Sequence, residues 1–248
     1  YEKEGLITRK YEFIKIIVNG KSRGIYVIDE RYDNIMLERN HRKEGPVVKL
    51  DQTPIFVDKV NLSPGERDDY YYSMDYTAFD VNKFMQDEQL RKMFLKAKEL
   101  MESFRLGMLT TSEVFDLEKL AKWMAIGDVL GAWHGFGFTN MRFYYNPVTS
   151  KFEPVPDDNY NERAFNYASA ERVFRFNDNY NKGKFLKQLF SDYRFTEIYL
   201  MELEKFSQES YLNQRFGEFH EEIRKNSYIL AKDYPLYNFL LESKGYTY

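Results

Sequence analysis

The chain has no cysteine among its 248 residues, which excludes disulfide bonds, thiolate catalysis and cysteine-ligated zinc sites. It also has no run near the roughly 18 consecutive apolar residues that a membrane-spanning helix needs. No signal peptide is visible, and the sequence begins at Tyr1 on a strand-like pattern, without Met. We therefore expect a fragment whose upstream segment, with any export signal, is missing.

The chain also lacks a strong excess of charge of either sign, with a formal net charge of −3 and a pI of about 5.8. Two short basic runs, 21–23 and 39–43, lie beside acidic residues. Such a chain has no global attraction to phosphate polymers, so we predict no nucleic-acid partner. It is rich in aromatic residues, 21 Tyr and 21 Phe, so we expect a core packed largely from rings.

The first part of the chain has the pattern of β-structure. Residues 11–18 and 25–30 are rich in β-branched and aromatic side chains and flank a glycine-containing turn at 19–24, which predicts a hairpin. A further strand is predicted over 45–51, started by a Gly-Pro break. The run of aspartate and tyrosine at 68–76 has no clear periodicity, so we expect a surface loop there.

The second part is mostly helical. Apolar residues recur at three- and four-residue spacing over 90–104, which predicts an amphipathic helix. Asp116 is placed to cap a second helix over 117–129, and a later apolar stripe includes Leu212, Phe216, Phe219 and Ile223. We therefore predict an α+β fold with a β-rich part over 1–80 and a mainly helical part over 81–248, interrupted by one hairpin at 138–158.

That central hairpin carries the strongest chemical signal. A polar loop with Gly131, Gly135 and Gly137 ends at Asn140, two short strands follow around an Asn-Pro turn, and paired aspartates come next. The glycines favour a tight loop that approaches a ligand closely. An Asn amide and a carboxylate at the two ends of one hairpin are what protein kinases and their distant relatives use to hold the metal ions that bind ATP phosphates.

Two blocks resemble the CotH kinase family, which is named for a spore-coat protein. The first is YEFIKIIVNGKSRGIYVIDERYDNIMLERNHRKEGPVVKLD (11–51), and the second is LGAWHGFGFTNMRFYYNPVTSKFEPVPDD (130–158). The family is similar in fold to secreted, atypical protein kinases, so the resemblance implies a two-lobe, protein-kinase-like architecture. It also implies transfer of phosphate from ATP to a Ser or Thr hydroxyl of a protein.

The resemblance also implies a set of site residues, ATP, and Mg²⁺ or Mn²⁺. Asp158 would be the metal-binding aspartate and Asn140 the second metal ligand. Lys49 would contact the ATP phosphates, with Glu30 or Glu38 as its ion-pair partner. The sequence does not choose between the two glutamates.

The chain departs from the family pattern just upstream of Asn140. Much of the family has an aspartate there that serves as catalytic base, whereas this chain has His134 and no acidic residue nearer than Asp128. His134 could accept a proton from an acceptor hydroxyl, because its unperturbed pKa lies near about 6.5. It could equally bind metal or fill a turn.

Each candidate has a purely structural alternative. Asp157 and Asp158 could form a solvated turn, and Asp157 could replace Asp158 as the metal ligand if the register shifts by one residue. Asn140 could bond its own backbone in a turn. Lys49 could face solvent on an edge strand, where it would block aggregation. The Asn-rich stretch 157–183 could shape substrate access.

Three functions therefore remain open. The first is a CotH-like kinase acting on a coat or envelope protein, located outside the cytoplasm or at the cell or spore surface. The second is a catalytically inactive pseudokinase or coat scaffold of the same fold, favoured by His134 in place of the acid. The third is a protein that binds or modifies polysaccharide through aromatic faces and paired acids.

Overall fold

A computed structural model describes residues 1–53, 71–137, 139–159 and 183–235. The fold is α+β, as predicted. The chain divides into two compact units: unit 1 comprises Tyr1–Thr8 and Tyr32–Ser207, and unit 2 comprises Arg9–Arg31 and Gln208–Tyr248. The predicted division into 1–80 and 81–248 stays a prediction.

The strands are β1 (Tyr11–Val18), β2 (Lys21–Asp29), β3 (Val47–Leu50), β4 (Tyr76–Ala78), β5 (Phe143–Asn146) and β6 (Lys151–Pro154). The helices are α1 (Asn34–Arg39), α2 (Val81–Gln86), α3 (Glu88–Arg105), α4 (Thr111–Val114), α5 (Leu117–Val129), α6 (Gly183–Phe190), α7 (Tyr193–Ser207) and α8 (Glu209–Leu230). Single 3-10 turns form at Glu2–Glu4 and Trp133–Phe136. None of the helices within these described ranges is long and apolar enough to cross a membrane.

Unit 2 contains the predicted first hairpin, in which β1 pairs antiparallel with β2. The turn places Asn19 and Gly20 at φ +52° and +75°, the left-handed region that these residue types tolerate. On β2, the backbone N–H of Ile25 donates to Asp233 Oδ2 over 2.6 Å. A Cβ on Gly24 would lie 2.6 Å from the same oxygen, so this contact requires glycine there.

Unit 1 is built on a four-stranded antiparallel sheet with the order β4-β3-β5-β6. Strand β3 pairs with β4 through Lys49 and Thr77 and with β5 through Val47 and Tyr144. Because β3 has a neighbour on each side, it is an interior strand. The explanation of Lys49 as a solvent-facing lysine on an edge strand is therefore wrong.

The core of unit 1 is packed largely from aromatic rings, as the composition predicts. The indole of Trp123 on α5 makes edge contacts with Phe136 at 4.9 Å and with Phe143 at 5.8 Å between ring centroids. Further edge-to-face or tilted pairs join Phe104, Phe115, Phe143, Phe152 and Phe185. These contacts hold β5 and the 3-10 turn that carries His134 against the same helix.

Both predicted helices form, the first where its apolar stripe indicates and the second after the predicted Asp116 cap. Asp87 accepts a hydrogen bond from Leu90 N at the start of α3, and Asp116 accepts one from Lys119 N at the start of α5. The buried residues of α3 include Phe94, Ala97, Met101 and Phe104, which are members of the predicted stripe.

The expected surface loop at 68–76 is wrong for its described part, since Tyr71, Met74 and Tyr76 are each no more than 4 % exposed. The cause is a buried arginine on α3. Arg105 donates to the carbonyls of Tyr71 and Met74 over 2.7 and 2.6 Å. It also forms an ion pair with Glu102. The segment is buried because its backbone carbonyls provide hydrogen-bond acceptors for this cation inside the protein.

We predict opposite effects of two glycine-to-alanine substitutions in helices. Gly127→Ala on α5 should destabilise the protein by about 1–3 kcal/mol, because the new Cβ would lie 2.3 Å from Phe136 Cζ in a filled core. That cost exceeds the gain of about 1 kcal/mol in helix propensity. Gly217→Ala on α8 meets nothing within 4 Å and should stabilise by up to about 1 kcal/mol. Urea denaturation of both variants tests this, and a Gly127→Ala protein as stable as the parent would contradict it.

Candidate functional site

The structure brings His134 and Asp158 into contact within unit 1. Nε2 of His134, in the 3-10 turn after α5, lies 2.9 Å from Oδ2 of Asp158, four residues beyond the end of β6. The two side chains are 31 % and 43 % exposed, so solvent reaches both. Asp158 adopts φ +50°, a left-handed conformation that costs a residue with a Cβ some free energy.

Asn140 lies beside this pair. Its Nδ2 donates to the His134 carbonyl over 3.1 Å, and its backbone N–H donates to the Gly137 carbonyl over 2.8 Å. The amide N–H of the side chain is thus used to fix the loop. The amide oxygen Oδ1 is the atom left to face a ligand, and it is the atom type that a divalent cation prefers.

Gly135 allows the His134 turn to lie directly on the chain after β6. A Cβ on Gly135 would lie 2.4 Å from Asn159 Oδ1 and 2.7 Å from the Asp157 carbonyl oxygen. Both are closer than real Cβ contacts come, so a side chain at this position would push the turn away from Asp158. The glycine loop is tight here because it lies against the chain itself, and its approach to a ligand stays a prediction.

Lys49 lies on β3 with its ammonium over the ring of Phe79, 4.6 Å from the centroid. No carboxylate among the described residues of unit 1 lies within 4 Å of this ammonium. Burial lowers the pKa of Lys49, the nearby Arg142 guanidinium lowers it further, and Asp51 acts in the opposite direction. The lysine is therefore held in a setting that disfavours its own charge.

Arg142 is a site residue that the sequence reasoning missed. It follows Asn140 by two positions, and its guanidinium Cζ lies 5.7 Å from the centroid of the same Phe79 ring. The carboxylate that approaches it among the described residues is that of Asp157, whose Oδ2 lies 4.0 Å from the Arg142 Nε. The signal that could have revealed it is the antiparallel register of two strands, which a single sequence does not give.

The other sequence candidates lie elsewhere. Glu38 is an exposed residue of α1 whose carboxylate accepts from Asn34 over 2.7 Å. Glu30 belongs to unit 2, where its carboxylate accepts from Lys10 N over 3.0 Å, so the choice of a partner for Lys49 stays open. Asp128 accepts from the Tyr199 hydroxyl over 2.6 Å, which ties it to the α5–α7 contact. Residues 160–182, which include most of the Asn-rich stretch, lie outside the described part.

A search of the described residues finds no group of three or more His, Cys, Asp or Glu side chains that could hold a metal ion. Mg²⁺ does not require such a group, because it keeps several waters and is bound through one or two carboxylates together with substrate phosphates. Asp158 uses one carboxylate oxygen toward His134, and Asn140 keeps its amide oxygen. The donor set therefore fits an ion of this kind.

These features define an α+β domain with a histidine–carboxylate pair, an amide and two cations grouped around one sheet. The family model described as CotH kinase protein matches residues 1–244, so the chain belongs to the CotH kinase family. A comparison with curated protein sequences gives no match.

We predict that removing the charge of Lys49 stabilises the free protein. The pKa of Lys49 is lowered from 10.5 in the folded state, so protonating it opposes folding at every pH below the folded pKa. Lys49→Met should raise the Tm by roughly 1–3 °C at neutral pH. The gain should shrink as the pH rises through the folded pKa of Lys49.

The matched control is Lys83→Met. The hydrogen bond to Glu44 raises the pKa of Lys83, so its contribution to stability is present at neutral pH and is lost as the pH rises through the folded pKa. This variant should lose stability, by less than about 1 kcal/mol because the pair is exposed. Thermal melts at several pH values compare the two, and a Tm that falls for Lys49→Met would show that the lysine is well paired.

Proposed function

We propose that this chain is a CotH-type kinase that binds ATP with Mg²⁺ or Mn²⁺ and transfers the γ-phosphate to a Ser or Thr hydroxyl of a protein. Family membership suggests a kinase-like function. The observation that carries the finer proposal is the contact of His134 with Asp158 beside Asn140. Residues from two ends of one hairpin meet there, with a carboxylate, an amide oxygen and an imidazole within one small region.

Asp158 and Asn140 are the residues that would hold the metal, through oxygen ligands. The bound ion would neutralise the negative charge on the phosphate oxygens. Lys49 on β3 would add an ammonium group that contacts the phosphates. Phosphoryl transfer needs positioning of the reactants and electrostatic stabilisation more than covalent catalysis. Two oxygen ligands for a metal ion and a cation for the phosphates are the types of group that supply both.

In the transfer step the acceptor oxygen forms a bond to the γ-phosphorus while the bond from that phosphorus to the bridging oxygen of ADP breaks. The acceptor hydroxyl loses its proton, and His134 is the side chain that takes it. The imidazole lies against Asp158 through Nε2, 2.9 Å from Oδ2, and acts as the general base of the step. The neighbouring carboxylate stabilises the imidazolium that results.

The wider proposals rest on the family resemblance. They are a two-lobe, kinase-like arrangement, an acceptor among coat or envelope proteins, and a location outside the cytoplasm. The observation that supports a kinase-like arrangement is local: β3, which carries Lys49, belongs to the same sheet as the β5–β6 hairpin that separates Asn140 from Asp158.

A pseudokinase or scaffold is the second candidate, and one observation favours it. The acid that much of the family has before Asn140 is replaced by His134, and Asp128 is hydrogen-bonded to Tyr199. On this alternative the site keeps its phosphate and metal ligands but has lost the base. Nucleotide binding would survive without transfer.

We predict that incubation with γ-labelled ATP, Mn²⁺ or Mg²⁺ and a generic protein acceptor labels the acceptor or the chain itself. Asp158→Asn should abolish the label, because it removes the charge that binds the metal while keeping the shape. His134→Asn should lower it by about a hundredfold or more, the usual contribution of a general base. Glu99→Gln, which changes an exposed carboxylate on α3, should label like the parent.

The two candidates are separated by His134→Asp, which restores the acid that much of the family carries. A parent that binds ATP with metal but transfers nothing, together with a His134→Asp variant that transfers, would establish the pseudokinase. Label in the parent that survives Asp158→Asn would overturn the assignment of the metal ligand. A parent that shows no metal-dependent thermal shift with ATP would remove the nucleotide from the proposal.

A further inference from the structure

Arg142 is a half-buried cation whose hydrogen bonding is incomplete. Its side chain is 12 % exposed, and its Nη1 donates to the carbonyls of Thr139 and Met141 over 2.7 and 3.0 Å. Its Nε is buried and has no hydrogen-bond partner among the described residues, since Asp157 is 4.0 Å away. A buried charge that lacks a hydrogen-bonded counter-ion costs free energy, so this arrangement needs a reason beyond packing.

Arg105 in the same unit shows what a purely structural arginine looks like here. Each of its three guanidinium nitrogens donates hydrogen bonds. The acceptors are two backbone carbonyls and both carboxylate oxygens of Glu102, at distances between 2.5 and 3.0 Å. The fold can therefore satisfy a buried guanidinium completely with its own groups. At Arg142 it does not.

A second cation lies next to Arg142. The pairing of Val47 with Tyr144 and of Val48 with Phe143, continued by one residue, places Lys49 opposite Arg142. Both cationic groups lie over the Phe79 ring, at 4.6 and 5.7 Å from its centroid. Tyr32 stacks on that ring at 4.0 Å between centroids, which leaves one face for the two cations to share.

The shared ring does not account for the pair. A cation over an aromatic face gains about 0.5–1 kcal/mol at such sites, and that gain is available to either cation alone. Bringing the second one in adds repulsion, which is seen in the effect of Arg142 on the pKa of Lys49. Two cations held together at a cost to the free protein are typical of a site for a multiply charged anion.

The chemistry of the two side chains points to phosphate. A guanidinium is a planar fork that can donate two parallel hydrogen bonds to two oxygens of one phosphate. An ammonium is a compact charge on a flexible stem that can contact a neighbouring phosphate group. The pair lies next to the 137–140 loop, since Arg142 Nη1 contacts the Thr139 carbonyl and Gln52 Nε2 donates to the same oxygen. That loop carries Asn140, so an anion held by the pair would lie on the metal-binding side of the hairpin.

We infer that Lys49 and Arg142 form a two-cation clamp for the phosphate chain of a nucleoside di- or triphosphate. The inference rests on the proposed function for the nucleotide, and it adds Arg142 as a residue that binds phosphate directly. Asp157 is the nearby carboxylate that holds Arg142 in the free protein.

The test is calorimetric titration of the parent, Arg142→Gln, Lys49→Gln and the double variant. The probes are ATP with Mg²⁺, AMP, and tripolyphosphate without metal. Arg142→Gln should weaken ATP binding about tenfold to a hundredfold, the value of hydrogen bonds to a charged group, and should weaken AMP binding much less. Arg91→Gln, an exposed arginine of α3, is the control for loss of one positive charge and should bind as the parent does.

Two further comparisons separate binding from folding. Arg142→Lys keeps the charge but loses the fork, so it should recover part of the affinity. In the double variant the losses should not add, because both cations contact one phosphate chain. Equal losses for ATP and AMP in Arg142→Gln, accompanied by a lower Tm, would show a structural arginine and overturn the clamp.

The outcomes also separate the clamp from the proposed function. If the parent binds ATP with Mg²⁺ and Arg142→Gln binds it equally well, the clamp is wrong and the nucleotide site stands. If the parent binds tripolyphosphate through Arg142 but does not bind ATP, the clamp stands and the nucleotide is wrong. Absence of binding of all three probes to the parent overturns both.

Discussion

The antiparallel pairing of β3 with β5 is the constraint on which the candidate site depends. Val47 and Val48 are buried opposite Tyr144 and Phe143, and a shift of one residue would turn these side chains outward and bring Lys49 into the aromatic core. The core therefore fixes the register. The register in turn places a lysine from the first part of the chain beside the hairpin that ends in the paired aspartates.

Two cationic side chains beside this hairpin cost folding free energy in the free protein. They are Lys49, whose pKa is lowered, and Arg142, whose buried Nε has no hydrogen-bond partner among the described residues. Among the described residues of unit 1, the buried charges are hydrogen-bonded, as at Glu153, which accepts from Arg42 over 2.8 Å. Two incompletely matched cations side by side, in a unit whose described buried charges are hydrogen-bonded, favour a binding role for this place.

Local signals in the sequence were sufficient for the elements and for part of the site. The first hairpin, the stripe of α3 and the Asp116 cap each depend on residues a few positions apart, so their patterns are visible in one sequence. Long-range contacts were not visible. The burial of 71–76 depends on Arg105 on α3, and the importance of Arg142 depends on strand register. Family resemblance supplied His134, Asn140 and Asp158 as candidates, and their mutual contact is a product of the fold.

The two consecutive aspartates, which the sequence leaves interchangeable, have different surroundings in the folded chain. Asp157 is the more buried and faces Arg142, while the left-handed turn at Asp158 directs the next carboxylate to His134. Asp158 is the more exposed of the two and lies beside His134 and Asn140, so the proposed function assigns the metal to Asp158 and not to Asp157. A single peptide bond therefore separates the carboxylate that faces Arg142 from the carboxylate that faces His134, and the β5–β6 hairpin places both at the same end of the sheet.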